Sequence, residues 1–267
     1  MPRVVPDLDF AAEHSADPRR GIYETLLVVG GRPVAAGAHV ERLRASAAAL
    51  YGAALPDGLD AQLVGAAGPH TLARLRIELV PPGERARSGS AGRPWPRRTA
   101  AEPALAFAAT AIERTIVMPS QEVAVATVGV TGCAGPHKLL DRSWLEQIEQ
   151  LAGAEVRPLL VSRSGTLLET TRANVFLVRD GVLATPQLDG SILPGTTRAV
   201  LLEHARRLGI EVREMPLTLE QLEAADVVLL SGSVRLLESA RRRDRRARGT
   251  HRVLARLADA LHSEVFA

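Results

Sequence analysis

The chain has 267 residues, of which 46% are hydrophobic and 24% charged, and a formal net charge of +3. That length suits one large domain or two of ordinary size, the composition is that of a soluble globular protein, and no apolar run nears the ~20 residues that would span a bilayer. Met1 to Phe10 lacks a signal peptide's apolar core, and the single cysteine, Cys133, excludes an internal disulfide, so a cytoplasmic location is expected. The basic excess is local: Arg241 to Arg248 holds six arginines against Asp244. This tract reads as a solvated turn, and with aromatics at only 3% there is little for base stacking, so a nucleic-acid partner is not expected.

Taken in order, Gly21 to Val29 reads as a strand, Gly30-Gly31 as a hairpin turn, and Arg32 to Ala36 as the returning strand. Val40, Leu43, Ala47 and Leu50 then fall at helical spacing over His39–Tyr51, ended by Gly52, and a short helix is expected over Leu59–Ala66. Arg74 to Val80 alternates polar and apolar residues, the pattern of a half-buried strand. Pro81 to Arg98 is too rich in Pro, Gly, Ser and Arg to pack and reads as a loop or insert. Strands are expected over Leu105–Ala109 and Glu122–Val130, a helix over Arg142–Leu151, and strands over Val156–Ser162 and Asn174–Val178, the last turned by Asp180-Gly181. Leu193-Pro194-Gly195-Thr196-Thr197-Arg198 opens a helix to Leu208 that Gly209 closes; a buried strand over Asp226–Ser231 and a helix over Val253–Leu261 complete the chain. The expected organisation is α+β, with a smaller domain over 1–118 and a larger α/β domain over 119–267.

Several chemistries are missing from the sequence. No P-loop, His-Glu-x-x-His, Cys-x-x-Cys, dinucleotide fingerprint or Gly-x-Ser-x-Gly elbow occurs, and no metal site is expected. Of the 33 Lys and Arg residues, Lys138 is the one lysine. A guanidinium stays protonated, whereas a desolvated primary amine can attack a carbonyl, so a sole lysine suggests an amine that reacts. The most general electrophile for such an amine is a pyridoxal phosphate aldehyde, which also needs an acid at its pyridine nitrogen and donors for its phosphate. Glu169 is a candidate acid. Gly195-Thr196-Thr197 stands at an expected helix N-terminus, and Ser231-Gly232-Ser233 follows a buried strand, so both suit a dianion.

The order Tyr23-Glu24-Thr25, His39-x-x-Arg42-Leu43, Lys138, Glu169-x-x-x-x-Asn174-x-Phe176, Leu193-Pro194-Gly195-x-Thr197-Arg198 and Ser231-Gly232-Ser233 resembles the fold-type IV (class IV aminotransferase) pyridoxal phosphate enzymes. That resemblance implies a two-domain homodimer with the cofactor in the cleft between a small and a large domain. It implies Lys138 as the Schiff-base lysine and proton carrier, and Glu169 at the pyridine nitrogen. Arg42, Thr196, Thr197 and Ser233 would hold the phosphate, and Tyr23 and Thr25 would face the substrate.

Within the family, Thr25 and the run His137-Lys138 to Arg142 resemble 4-amino-4-deoxychorismate lyase, which releases pyruvate and leaves 4-aminobenzoate for the folate pathway. The transaminases' usual arginine after a strand like Arg74–Val80 is replaced by Val80-Pro81-Pro82-Gly83. An aminotransferase of branched-chain or D-amino acids is the alternative. A more remote one is a non-catalytic pyridoxal phosphate-binding protein with an Arg-rich tail.

Overall fold

The computed structural model describes residues 16–81, 103–117, 122–242 and 251–266. Most of the stretch expected to be an unpacked insert, and the tract from Arg243 to Arg248, lie outside the described residues. By contacts the chain forms two units. The first is Ala16–Arg114 together with His137–Arg142; the second comprises Thr115–Pro136 and Ser143–Ala267 among its described parts.

The first unit opens with a 3-10 turn (Pro18–Arg20) and is built on a four-stranded antiparallel sheet of order β2-β1-β3-β4. Its strands are β1 (Ile22–Val29), β2 (Arg32–Pro33), β3 (Leu72–Val80) and β4 (Ala104–Ala111), with helices α1 (Ala36–Tyr51) and α2 (Leu59–Ala67). The return strand expected to Ala36 is only two residues long, because Ala35 turns the backbone left-handed (φ 52°) and the helix begins at Ala36. Side chains alternate across a strand. Ile22, Leu26 and Val28 therefore share one face of β1, where they join Leu75, Ile77 and Leu79 of β3 and Val40, Leu43 and Ala47 of α1 in one core. Tyr23 and Thr25 take the opposite face, in register with Glu78 and Arg76 respectively.

The lysine does not group with the larger domain as expected. His137–Arg142 belongs to the first unit, because its backbone pairs with the start of β1. The Tyr23 N–H donates to the Lys138 carbonyl at 2.9 Å, and the Leu140 N–H donates to the Gly21 carbonyl at 2.9 Å. Gly21 permits this approach. Its φ is +110°, and a Cβ there would stand 2.4 Å from the Leu79 carbonyl oxygen and 2.8 Å from Leu140 Cδ1.

α3 (Arg114–Val117) leads into the second unit. An eight-stranded mixed sheet runs in the order β10-β9-β8-β11-β12-β5-β6-β7. Its strands are β5 (Val123–Gly129), β6 (Val156–Val161), β7 (Leu167–Thr170), β8 (Asn174–Arg179), β9 (Val182–Thr185), β10 (Val212–Glu214), β11 (Val227–Gly232) and β12 (Leu236–Arg242). Helices α4 (Ser143–Ala152), α5 (Thr196–Arg207), α6 (Leu219–Ala224) and α7 (Arg252–Phe266) complete it. One core packs Val175, Leu177, Leu217 and Leu222, and another packs Phe176, Val178, Leu201 and Leu257, so the central strands are apolar on both faces. Arg241 and Arg242, expected in a turn, are strand residues of β12.

Candidate active site

Lys138 is half-buried, and its Nζ lies 5.0 Å from the centroid of the Tyr23 ring. Arg76 stacks on the same phenol, its Cζ 3.9 Å from the centroid, and Arg142 Nη1 donates to the Tyr23 hydroxyl at 3.1 Å. Arg76 also donates to Glu78 at 2.6 Å. Burial raises the pKa of the Tyr23 phenol, but Lys138, Arg142 and Arg76 together outweigh it, and the net shift is downward from 10.0. Thr25, half-buried, stands on the same face. Sequence reading singled out Tyr23, Thr25 and Lys138 but not Arg76, whose signal was its place in the alternation of β3.

Glu24 points the other way, into the core side of β1, and is 1% exposed. It accepts from Arg42 Nε and Nη2, each at 2.7 Å, and pairs with His39 Nδ1 at 2.7 Å. Burial raises the Glu24 pKa, but the bonds from Arg42 and His39 overcome it and hold the carboxyl at about 2. Burial lowers the His39 pKa despite its bond to Glu24. Arg42, expected on a phosphate, thus directs two of its nitrogens to a carboxylate of its own unit.

In the second unit, Glu169 on β7 is 5% exposed. Its Oε2 accepts from Asn174 Nδ2 at 3.1 Å and its Oε1 from the Leu193 N–H at 3.0 Å. Asn174 is pressed against Gly195, where a Cβ would lie 2.0 Å from its Oδ1. Gly195 caps α5 without a side-chain hydrogen bond. The first N–H groups of a helix have no acceptor within it, so this end is suited to an anion. Thr196 and Thr197 are both buried there, and Thr196 Oγ1 lies 3.2 Å from Ser233 Oγ. Ser231, on β11 opposite Asn174, has a buried hydroxyl with no partner. A buried unpartnered hydroxyl costs free energy unless a ligand completes it. This cup fits a phosphate, and the buried Glu169 carboxylate fits a protonated pyridine nitrogen. Among the described residues no cluster suited to a metal occurs, and no helix is long and apolar enough to cross a membrane.

The profile of the amino-transferase class IV family matches residues 21–242, and the chain belongs to that family. It is a pyridoxal phosphate-dependent enzyme of the fold-type IV class. Among curated proteins it is similar to the branched-chain-amino-acid aminotransferase of Escherichia coli (strain K12), with 42% identity over 89 residues. That match spans 31% of this chain and 29% of the relative's length. Among solved structures it is similar to a protein of Legionella pneumophila provisionally named 4-amino-4-deoxychorismate lyase, with a TM-score of 0.77 and 24% identity over 98% of each chain. It is equally similar to a hypothetical aminotransferase from Mycobacterium tuberculosis in its PLP-bound form, with a TM-score of 0.77 and 23% identity over 97% of this chain and 95% of that one. At these identities the solved structures establish the fold.

Proposed function

We propose that this enzyme is a 4-amino-4-deoxychorismate lyase, cleaving its substrate to 4-aminobenzoate and pyruvate. The observation that carries this reading is the character of the surface around Lys138. Tyr23, Thr25, Arg76, Glu78 and Arg142 make it polar, with two guanidinium groups against one phenol. A substrate that carries a carboxylate suits such a surface, because the Arg142 guanidinium can pair with it, while Arg76 already donates to Glu78. A branched aliphatic side chain would instead require apolar walls.

Pyridoxal phosphate, when bound, supplies an aldehyde for the substrate amine and a protonated pyridine that draws electrons from the neighbouring carbon. Lys138 would hold that aldehyde, and its amine, when free, would take the proton from ring carbon 4 of the substrate. The adjacent carbon–oxygen bond then breaks, enolpyruvate leaves, and the ring gains its third double bond. Thr25 would relay the proton taken up by Lys138 to the methylene carbon of the departing enolpyruvate, which becomes pyruvate. Glu169 would keep the pyridine nitrogen protonated, and Thr196, Thr197 and Ser233 would bind the phosphate. The family resemblance supports a homodimer as the working assembly.

The test is to incubate the holoenzyme with aminodeoxychorismate and measure pyruvate and 4-aminobenzoate, which are expected in equal amounts. A second reading, aminotransfer from a branched-chain amino acid, is favoured by the 42% identity to the Escherichia coli aminotransferase. Its signature is conversion of the cofactor to its amine form by leucine or valine. That conversion without pyruvate release from aminodeoxychorismate sinks the lyase reading.

A further inference from the structure

We infer that Ser46, on α1, is a positioning residue for Lys138, acting through the imidazole of His137. This inference rests on the reading of Lys138 as the amine that anchors the cofactor. His137 Nδ1 lies 3.0 Å from Ser46 Oγ, across 91 residues of sequence. His137 is also the first residue of the short segment that packs with the N-terminal unit. On the other side of the lysine the backbone is fixed by the Tyr23 N–H to Lys138 carbonyl bond and by the Leu140 N–H to Gly21 carbonyl bond, both 2.9 Å. The Cα of Lys138 is therefore held from both directions, and its side chain runs toward the Tyr23 ring.

The choice of residue on α1 supports the assignment. Ser46 is 4% exposed, in a helix whose neighbouring buried positions, Leu43 and Ala47, are apolar. A buried hydroxyl needs a partner, and the one Ser46 has is the residue before the lysine. His39, Arg42 and Ser46 recur at the spacing of one helix face. The first two brace β1 through Glu24, while Ser46 braces the lysine segment, so one rigid helix fixes both sides of the amine's surroundings. Burial lowers the His137 pKa, which keeps the imidazole neutral near pH 7 with one nitrogen to donate and one to accept.

The experiment uses the holoenzyme and three variants: Ser46→Ala, Ser46→Thr and His137→Gln. Borohydride reduction and peptide mass spectrometry first locate the cofactor. If wild type carries no adduct on Lys138, the anchoring reading fails, whatever the variants do. With the adduct in place, Ser46→Ala is expected to reduce the visible circular dichroism of the bound cofactor and to lower kcat about 10-fold at nearly constant KM. Its far-UV spectrum should match wild type, and Ser46→Thr, which keeps the hydroxyl, should restore both signals. His137→Gln is expected to behave as Ser46→Ala does and decides the matter if Ser46→Ala does not fold. A visible spectrum and kcat equal to wild type in the deciding variant, or a fall in Tm alone, overturn the inference. Failure of Ser46→Thr to restore either signal counts against it equally.

Discussion

Two buried carboxylates, Glu24 of the N-terminal unit and Glu169 of the C-terminal unit, sit in different surroundings. In the N-terminal unit ions answer ions: Glu24 sits between Arg42 and His39, and the Tyr23 phenol is surrounded by Arg76, Arg142 and Lys138. In the C-terminal unit Glu169 accepts from an amide side chain and a backbone N–H, and the mouth of α5 carries threonine and serine hydroxyls. A buried ion already matched by an ion resists disturbance but strongly penalises the loss of one partner. A buried carboxylate that accepts from an amide and a backbone N–H suits a cation, and the start of a helix suits a dianion. On the proposed reading the first unit fixes the reactive amine and the second receives the charged cofactor.

The largest test of this division is Lys138→Ala. Turnover should fall on the order of 10⁶-fold, as expected for loss of a covalent nucleophile, and borohydride should trap no adduct. The variant should still bind pyridoxal phosphate reversibly, measured by calorimetry, because the α5 cup does not depend on the amine. Loss of that residual affinity would break the comparison.

Next comes Glu24→Gln, which leaves Arg42 and His39 facing a neutral amide. Removing one partner of a buried ion pair is expected to cost about 3–5 kcal/mol by urea denaturation. The pH dependence has a definite sign. A carboxyl held at about 2 against an ordinary 4.5 stabilises the fold fully above pH 4.5, and that stability is lost as pH falls toward 2. Across those pKa values the change amounts to about 3 kcal/mol. His39, whose pKa is lowered by burial, adds a loss beginning below its ordinary 6.5. Glu24→Gln should flatten the lower part of this acid limb; an unchanged limb would place its origin elsewhere.

Gly195→Ala tests the receiving unit. Its Cβ would lie 2.0 Å from Asn174 Oδ1, so the amide that holds Glu169 must move. Overpacking of this kind costs about 1–3 kcal/mol. The cofactor's Kd should rise as well, whereas the borohydride-reactive Lys138 should persist at saturating cofactor. An unaltered Kd would detach Asn174 and Glu169 from cofactor binding.

Local patterns made much of this legible from sequence. The alternation of Arg74 to Val80 and the glycine turn at Gly30-Gly31 correspond to β3 and the hairpin after β1, and Gly209 follows α5 with φ +67° as a helix-terminating glycine does. Lys138 stood out because it is alone among arginines. What sequence could not give was distance. Arg142 meets Tyr23 across 119 residues and His137 meets Ser46 across 91. No periodicity encodes such pairs, since they depend on how the lysine segment pairs with β1. Arg42 shows the same limit. A motif suggested a phosphate for this guanidinium, and the alternation that turns Glu24 inward adds a carboxylate that the motif did not announce.

The smallest expected effect completes the comparison, because it asks whether an exposed ion pair carries weight at all. Arg172 Nη2 lies 2.5 Å from Glu149 Oε2, a geometry as close as any in the buried cluster around Glu24. Yet the Arg172 side chain is 61% exposed, and water screens the attraction while ordering two long side chains opposes it. Arg172→Ala should therefore lower stability by only about 0.2–1 kcal/mol in urea and leave turnover unchanged. Raising the salt should shrink even that difference, whereas the effect of Glu24→Gln should persist, since burial protects that pair from screening. An Arg172→Ala loss comparable to that of Glu24→Gln would mean that exposure does not weaken an ion pair here, and the contrast between buried and exposed pairs would fail.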